Sequence, residues 1–236
     1  MKRFASLWRH LTDAVFPEYC LGCRAEGRSI CRSCLGTIFY PGIEECPRCH
    51  AASASGAPCG SCRRQTPLSG VIAMLRYTEA SLAGRLIHAF KYDGVETVGM
   101  VFAGAIETYA REHPAFFHGI TRIMPVPLHP RRYAERGFNQ AGIFAQALGI
   151  GSAKRVDEIS LRRTRQTLRQ VRLTKPEREQ NVRGAFACSS PDRLSGERVC
   201  LVDDVFTTGS TMEECARVLL QAGAGEVRGF ALARGR

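Results

Sequence analysis

Hydrophobic and polar positions follow different patterns on the two sides of Pro67. Residues 1–16 place apolar side chains three and four positions apart, which predicts one amphipathic helix. Residues 17–66 are rich in Cys, Gly, Ser and Pro and lack long apolar runs, so they do not supply a hydrophobic core of their own. From residue 67 to residue 236, short apolar runs alternate with segments of helical periodicity. The pattern predicts a small front unit followed by one larger α/β domain.

The strands of the larger unit are short apolar runs that end at polar, Gly-bearing or Pro-bearing loops. They are predicted at Gly70–Tyr77, Ile120–Pro125, Val199–Asp203 and Glu226–Ala233. Helices are predicted at Ser81–Tyr92, Asn139–Leu148 and Thr211–Ala222, the last of them ended by Gly223. This alternation predicts a parallel sheet with helices on both faces, whose ligands bind beyond the carboxyl ends of the strands.

The composition is that of an ordinary globular protein, because 44% of the 236 residues are hydrophobic and 23% are charged. Lys and Arg outnumber Asp and Glu by 33 to 22, and the resulting formal charge of +11 favours a polyanionic ligand. Charged residues interrupt the apolar positions of residues 1–16, and no apolar run approaches the ~20 residues of a membrane helix. We therefore expect no signal peptide, no membrane span and a cytoplasmic protein.

Eight of the eleven cysteines form four pairs of identical spacing. The pairs are Cys20/Cys23, Cys31/Cys34, Cys46/Cys49 and Cys59/Cys62. The cytoplasm keeps thiols reduced, and two such pairs complete one tetrahedral zinc site, so the four pairs predict a double zinc ribbon over residues 17–66. The simplest assignment is sequential, with the first two pairs on one zinc ion and the last two on the other, and interleaved pairing stays open. The remaining cysteines, Cys188, Cys200 and Cys215, are predicted to be buried apolar residues.

Four thiolates around each zinc ion leave no position for water or substrate, so both ions are expected to be structural. The role of the front unit is then recognition or docking. It is either a surface for nucleic acid or a protein partner, or a cap on the larger domain.

A strand, an acidic pair and a hydroxyl-rich turn follow one another between Val199 and Thr211. The strand delivers Asp203 and Asp204, whose adjacent carboxylates suit the vicinal hydroxyls of a sugar. The turn that opens the next helix contains Thr207, Thr208, Gly209, Ser210 and Thr211. Backbone N–H groups at the start of a helix bind phosphate, and a glycine lets the backbone approach it closely. These residues predict a site for a phosphorylated sugar.

These thirteen positions resemble the phosphoribosyl-pyrophosphate signature of the type I phosphoribosyltransferases. The resemblance implies that Asp203 and Asp204 hold the ribose hydroxyls and that residues 207–211 hold the 5′-phosphate. It also implies a magnesium ion that accompanies phosphoribosyl pyrophosphate. Purine-salvage members have an aspartate at the position of Thr207, and a threonine cannot take a proton at neutral pH, so purine salvage is disfavoured.

Residues 124–140, together with the cysteine pairs and the stretch 162–186, resemble the ComF (competence protein F) family in its form with a double zinc ribbon. The resemblance implies a type I phosphoribosyltransferase-like parallel sheet flanked by helices over 67–236, and a link to DNA uptake in natural competence. It also implies a pyrophosphate loop at 126–132 and further pocket residues after it. The residues concerned are Val126, Pro127, Arg131, Arg132, Arg136, Asn139 and Gln140. Arginine suits this role because its fork grips phosphate oxygens with two hydrogen bonds.

Basic residues dominate the stretch that runs from Leu161 through Arg178. They are Arg162, Arg163, Arg165, Arg169, Arg172, Lys175 and Arg178, against Glu177 alone. Such a stretch predicts a mobile lid over pyrophosphate or a track for a nucleic-acid backbone, and a solvated helix face is the plain alternative. Lys91, at the end of an apolar helix, is a further candidate cation for the pocket.

Three functions fit these features. The first is a phosphoribosyl-pyrophosphate-binding protein in DNA uptake or single-stranded nucleic-acid handling, with proteins of the uptake machinery as partners. The second is an active phosphoribosyltransferase on an unidentified, non-purine acceptor, and the third is a zinc adaptor whose larger domain is inert. The positive charge, the closed zinc sites and the lack of a recognisable base clamp favour the first.

Overall fold

The described residues build a six-stranded sheet, a separate two-stranded sheet and the helices around them. A computed structural model describes residues 18–38, 42–92, 95–168 and 174–235, so the helix predicted over residues 1–16 lies outside them. The strands are β1 (Ile43–Glu44), β2 (Val71–Tyr77), β3 (Arg122–Pro125), β4 (Arg155–Val156), β5 (Leu161–Arg163), β6 (Phe186–Cys188), β7 (Arg198–Phe206) and β8 (Glu226–Gly235). The helices are α1 (Arg32–Gly36), α2 (Leu82–Tyr92), α3 (Glu96–Glu112), α4 (Pro114–Phe117), α5 (Pro130–Arg136), α6 (Gln140–Ser152), α7 (Lys175–Val182) and α8 (Ser210–Gln221). In these parts of the chain no helix has both the length and the apolar character needed to cross a bilayer.

The main sheet has the strand order β1-β2-β8-β7-β3-β4. All of its pairings are parallel except that of β1 with β2, which is antiparallel. The predicted α/β fold with a mainly parallel sheet and flanking helices is therefore confirmed. The carboxyl ends of β2, β8, β7 and β3 meet at one edge of the sheet, which is where parallel α/β sheets bind ligands.

Consecutive residues of β7 pack on opposite faces of the sheet, as the two-residue period of a strand requires. Cys200 and Val202 belong to a core that includes α2, α3 and α6. Val199 and Leu201 belong to a second core, formed with α8. Because both faces are covered, the strand reads in sequence as one continuous apolar run.

The strand β7 is longer than predicted. The sequence predicts its end at Asp203, but its pairing with β8 continues through Val205 and Phe206, which lie opposite Ala233 and Arg234. The acidic pair therefore lies inside the strand near its carboxyl end. Hydrogen bonds to β8 hold the backbone there, whereas the pairing with β3 ends at Val202.

The two-stranded sheet pairs β5 with β6 in antiparallel register, with Leu161 opposite Cys188. It brings the start of the basic stretch next to a segment more than twenty residues later in the chain. Cys200 and Cys215 are fully buried as predicted, but Cys188 is only partly buried and packs at the margin of the second core, to which Leu161 and Phe186 of this small sheet belong.

The two cysteine-bearing segments attach to different parts of the larger unit. In the first segment, the Ser29 hydroxyl lies 2.7 Å from that of Thr97 on α3, and Arg85 of α2 donates two hydrogen bonds to the carbonyl of Leu21. The second segment contributes β1 to the edge of the main sheet. Residues 43–44 thus extend the sheet of the unit that is predicted to begin at residue 67.

Candidate functional site

The cysteine pairs form two compact clusters. The Sγ atoms of each cluster lie within 4.8 Å of one another, and the clusters are Cys20, Cys23, Cys31 and Cys34, then Cys46, Cys49, Cys59 and Cys62. The grouping is sequential, so the interleaved alternative does not describe this structure. Four thiolates in a closed group are the donor set of a structural zinc ion, so both clusters fit zinc.

Backbone N–H groups point at the sulfur atoms in the manner of a metal-binding turn. The N–H of Cys31 donates to Cys20 Sγ at 3.3 Å, and the N–H of Cys34 donates to Cys31 Sγ at 3.4 Å. In the second cluster, hydrogen bonds from the side chain of Ser61 and from the backbone of Cys62 lower the pKa of Cys59 to about 6. The thiolate is the form of cysteine that binds a metal ion, so a lowered pKa favours metal binding.

A cleft of ≈640 Å³ lies at the carboxyl edge of the main sheet. Ten of the residues predicted for the ligand site line it, namely Val126, Pro127, Arg132, Arg136, Asn139, Gln140, Asp203, Asp204, Thr207 and Thr211. Thr208, Gly209 and Ser210 form the rest of the turn between Thr207 and Thr211, and their side chains are not part of the lining. Arg131 lies outside the cleft, where its exposed side chain pairs with Glu135 one helical turn later.

The two carboxyl groups of the acidic pair differ in their surroundings and their partners. Burial and the neighbouring Asp204 raise the pKa of Asp203 to about 7, although the backbone N–H of Asp204 donates to it at 2.8 Å. Asp204 pairs instead with Lys91, whose Nζ lies 2.5 Å from Oδ2. Burial alone lowers the pKa of Lys91, but its interactions with Asp204, Asp203 and Tyr92 together outweigh burial and the net pKa is raised. Lys91 is a candidate pocket cation in the sequence analysis, and its ion pair with Asp204 places it beside the acidic pair in the cleft.

The turn after β7 leads into α8 through a glycine. Gly209, at the N-cap of α8, has a φ of +80° and, as a glycine, makes no side-chain cap to the helix. The hydroxyls of Thr208 and Ser210 lie 2.8 Å apart and bond to each other. Backbone N–H groups at the start of a twelve-residue helix attract an anion such as phosphate.

The opposite wall of the cleft is basic. It contains Arg132, Arg136, Arg163 and Arg178, and Arg178 Nη1 donates to Thr207 Oγ1 at 2.9 Å. Two buried donors in this wall, Nε of Arg163 and Nε2 of Gln140, have no hydrogen-bond partner among the residues that the structure describes. Burial and the nearby Arg132 lower the pKa of Arg163, so an anion in the cleft relieves both the desolvation and the repulsion.

Asn139 holds the predicted pyrophosphate loop at 126–132 in place. Its side chain donates to the carbonyl of Val126 at 3.1 Å and also accepts from the N–H of Ala141 as the N-cap of α6. Asn139 therefore fixes the loop at 126–132 relative to α6. Its role in the structure is positioning, in addition to its place in the lining.

The basic stretch is not a single helix face. Arg163 belongs to β5, and Arg165 donates to the carbonyls of Asn181 and Arg183 at 3.0 and 2.7 Å. Arg163 is buried in a strand and Arg165 bonds to backbone carbonyls, so neither belongs to a solvated helix face. Arg169 and Arg172 lie outside the described residues.

Comparison with known proteins agrees with this geometry. A family profile described as the phosphoribosyl transferase domain matches residues 134–236. The DNA utilization protein YhgH of Escherichia coli O6:H1 is 33% identical over 193 residues, which cover 80% of this chain and 83% of that protein. Competence protein F of Haemophilus influenzae is 31% identical over 182 residues, which cover 75% of this chain and 78% of that protein. Among solved structures, the glutamine phosphoribosylpyrophosphate amidotransferase from B. subtilis matches 58% of this chain and 27% of its own at 20% identity and a TM-score of 0.40.

Proposed function

Since the chain belongs to the ComF family of proteins with a phosphoribosyltransferase domain, we propose that its cleft binds phosphoribosyl pyrophosphate together with magnesium. One observation carries this proposal. The acidic pair, the two ends of the hydroxyl-rich turn (Thr207 and Thr211) and a wall of four arginines all line one cleft of ≈640 Å³. A phosphorylated, pyrophosphorylated pentose has groups complementary to each of the three.

Different groups of residues bind different parts of the ligand in this proposal. Asp203 and Asp204 accept hydrogen bonds from the two ribose hydroxyls, with Lys91 giving way at Asp204. The N–H groups at the start of α8 and the hydroxyls of Thr207 and Thr211 receive the 5′-phosphate. The arginines and Gln140 of the opposite wall receive the pyrophosphate, whose charge the magnesium ion reduces when it is bound.

The thermal stability of the protein tests this proposal. Phosphoribosyl pyrophosphate with magnesium is expected to raise Tm, because a ligand that binds only the folded state stabilises it. Replacing Asp203 and Asp204 by alanine is expected to abolish the rise, whereas Asp192→Ala, at an exposed acid that does not line the cleft, is expected to keep it. A rise that survives the double replacement would contradict the assignment of the pocket.

We also propose that the protein acts in DNA uptake or in the handling of single-stranded nucleic acid. Support comes from the names of its relatives, from the net charge of +11 and from the closed cysteine clusters, which leave no open metal position. Affinity for single-stranded DNA that falls steeply with salt is the expected result, because binding to phosphates releases counterions. Affinity that is absent at low salt would remove this role.

An active phosphoribosyltransferase is the second candidate. The cleft continues past the acidic pair to Tyr77, Thr78 and Glu79 at the end of β2, on the side of β7 away from the predicted pyrophosphate loop. This part of the cleft is where an acceptor would approach the ribose. Release of pyrophosphate on addition of a panel of non-purine bases and nucleosides tests the reaction, and no release with any acceptor leaves binding as the function.

A further inference from the structure

The second cysteine cluster is connected, through two arginines, to the turn that we propose to hold the phosphate. We propose that this cluster, once it has bound zinc, positions the turn at residues 207–211 through Arg234 and Arg48. The inference rests on the proposed function only for what the turn binds. The contacts themselves belong to the folded protein.

The first connection runs through Arg234, the largest fully buried side chain among the described residues. Its guanidinium donates to the carbonyls of Glu45 and Cys46 at 3.1 and 2.7 Å, and it pairs with the Glu45 carboxylate at 3.4 Å. Cys46 is the first ligand of the second cluster. A planar fork that grips two consecutive carbonyls fixes the cluster and the end of β8 relative to each other.

Phe206 carries this connection to the turn. The guanidinium of Arg234 lies 5.1 Å from the centroid of the Phe206 ring, and the ring is only 2% exposed. Gly209 lies so close to the same ring that a Cβ built on it would be 2.7 Å from the ring carbon Cζ. The turn therefore rests on Phe206, and Phe206 rests on the residue that holds the cysteine cluster.

A second connection runs through Arg48, which lies between Cys46 and Cys49 in the metal-binding turn. Its Nη1 lies 3.4 Å from both carboxylate oxygens of Glu213 and donates to the carbonyl of Gln65 at 2.9 Å. Glu213 is in the first turn of α8, and its N–H donates to the carbonyl of Gly209 at 2.8 Å. Arg48 thus ties the second cluster to the first turn of α8, the helix whose residue Thr211 lines the cleft.

The first cluster has no such contacts in the described part of the chain. It packs on α2 and α3 through Leu21, Ser29 and their partners Arg85 and Thr97. The chain therefore contains its own control, because two similar cysteine clusters differ in whether they reach the phosphate turn.

The positions of the Cys46 carbonyl and of Arg48 depend on the shape of a four-residue metal-binding turn. Loss of the metal frees that turn, since it removes the bonds that close the loop between the cysteine pairs. Partners that orient the ligands of a metal ion commonly cost 10–100-fold in metal affinity or activity when they are lost, and we take the lower end of that range for residues that orient the phosphate turn. We expect loss of metal from the second cluster to loosen residues 207–213 and to weaken binding in the cleft.

The test compares matched variants by three measurements. Cys59→Ser and Cys31→Ser each remove one half-buried thiol, from the second and the first cluster respectively. Arg48→Ala and Arg85→Ala each remove the arginine that links one cluster to the larger unit. Zinc content, hydrogen–deuterium exchange of the amides 207–213, and the Kd for phosphoribosyl pyrophosphate with magnesium are measured for each.

Cys59→Ser and Arg48→Ala are expected to speed exchange at 207–213 and to raise Kd by roughly 10-fold, whereas Cys31→Ser and Arg85→Ala stay within ~2-fold of the unmodified protein. Arg48→Ala is expected to show both effects with its zinc content unchanged, which distinguishes loss of the Arg48–Glu213 contact from loss of the metal ion. Equal effects of the two arginine variants, or unchanged exchange in Arg48→Ala, would overturn the inference. If the unmodified protein does not bind the ligand but the exchange pattern holds, the positioning role stands and the proposed function fails.

Discussion

Binding in the cleft is expected to strengthen as the pH rises through 7, because of Asp203. Burial and the Asp204 carboxylate raise the pKa of Asp203 to about 7. Below that value the group is protonated and uncharged, and above it the group is a carboxylate that accepts hydrogen bonds from ribose hydroxyls more strongly. The raised pKa therefore predicts weaker binding at pH 6 than at pH 8.

The size of the effect follows from the pKa. With a pKa of about 7, roughly one tenth of Asp203 is ionised at pH 6 and roughly nine tenths at pH 8. If the ionised form is the one that binds, apparent affinity scales with that fraction and rises about 10-fold across this range. Ten-fold corresponds to about 1.4 kcal/mol of binding free energy.

Isothermal calorimetry with phosphoribosyl pyrophosphate and magnesium at pH 6, 7 and 8 measures this dependence. The ligand's own phosphate titrates near the lower end of the range, so Asp203→Asn serves as the control that retains the ligand's contribution and lacks that of the protein. We expect the variant to bind more weakly at pH 8 and to lose most of the pH dependence. An identical pH dependence in the variant and the unmodified protein would refute the role of Asp203.

Three further outcomes follow from the contacts described above. Elemental analysis is expected to find two zinc ions per chain, and fewer than one after purification without chelator would contradict the two clusters. Lys91→Met removes the ion-pair partner of the Asp204 carboxylate, which is 16% exposed. The free energy of unfolding at pH 8 is therefore expected to fall by about 3 kcal/mol and Tm by roughly 5–10 °C. An unchanged Tm would show that the pair contributes little. Phe144→Ala, in the core beside α3, is expected to lower the free energy of unfolding by ~3–5 kcal/mol, measured as a lower urea midpoint, while the zinc content stays unchanged. Parallel loss of zinc would show that the core and the clusters unfold together.

The predicted strands of the main sheet correspond to observed ones because strands covered on both faces read as continuous apolar runs. The helix α3 is absent from the sequence prediction, although Val98, Phe102, Ile106 and Tyr109 repeat at helical spacing and are all buried. That periodicity was sufficient to find it. The edge strand β1 has only two residues, and its neighbours are cysteines and turns, so no local pattern indicates its place in the sheet.

The candidate site divides in the same way. The acidic pair and the hydroxyl-rich turn are contiguous in sequence, so their proximity follows directly from the chain. The pairing of Lys91 with Asp204 and of Arg178 with Thr207 joins residues 113 and 29 positions apart. The grouping of the cysteines likewise depends on how the loops between the pairs close, which identical spacings do not reveal.

A crystal structure of the protein soaked with phosphoribosyl pyrophosphate and magnesium tests the central claim most directly. We predict density for the 5′-phosphate at the start of α8 and for the ribose hydroxyls at Asp203 and Asp204, with Lys91 displaced from Asp204. A cleft that stays empty at saturating ligand, or a ligand bound with its phosphate away from residues 207–211, would contradict the account.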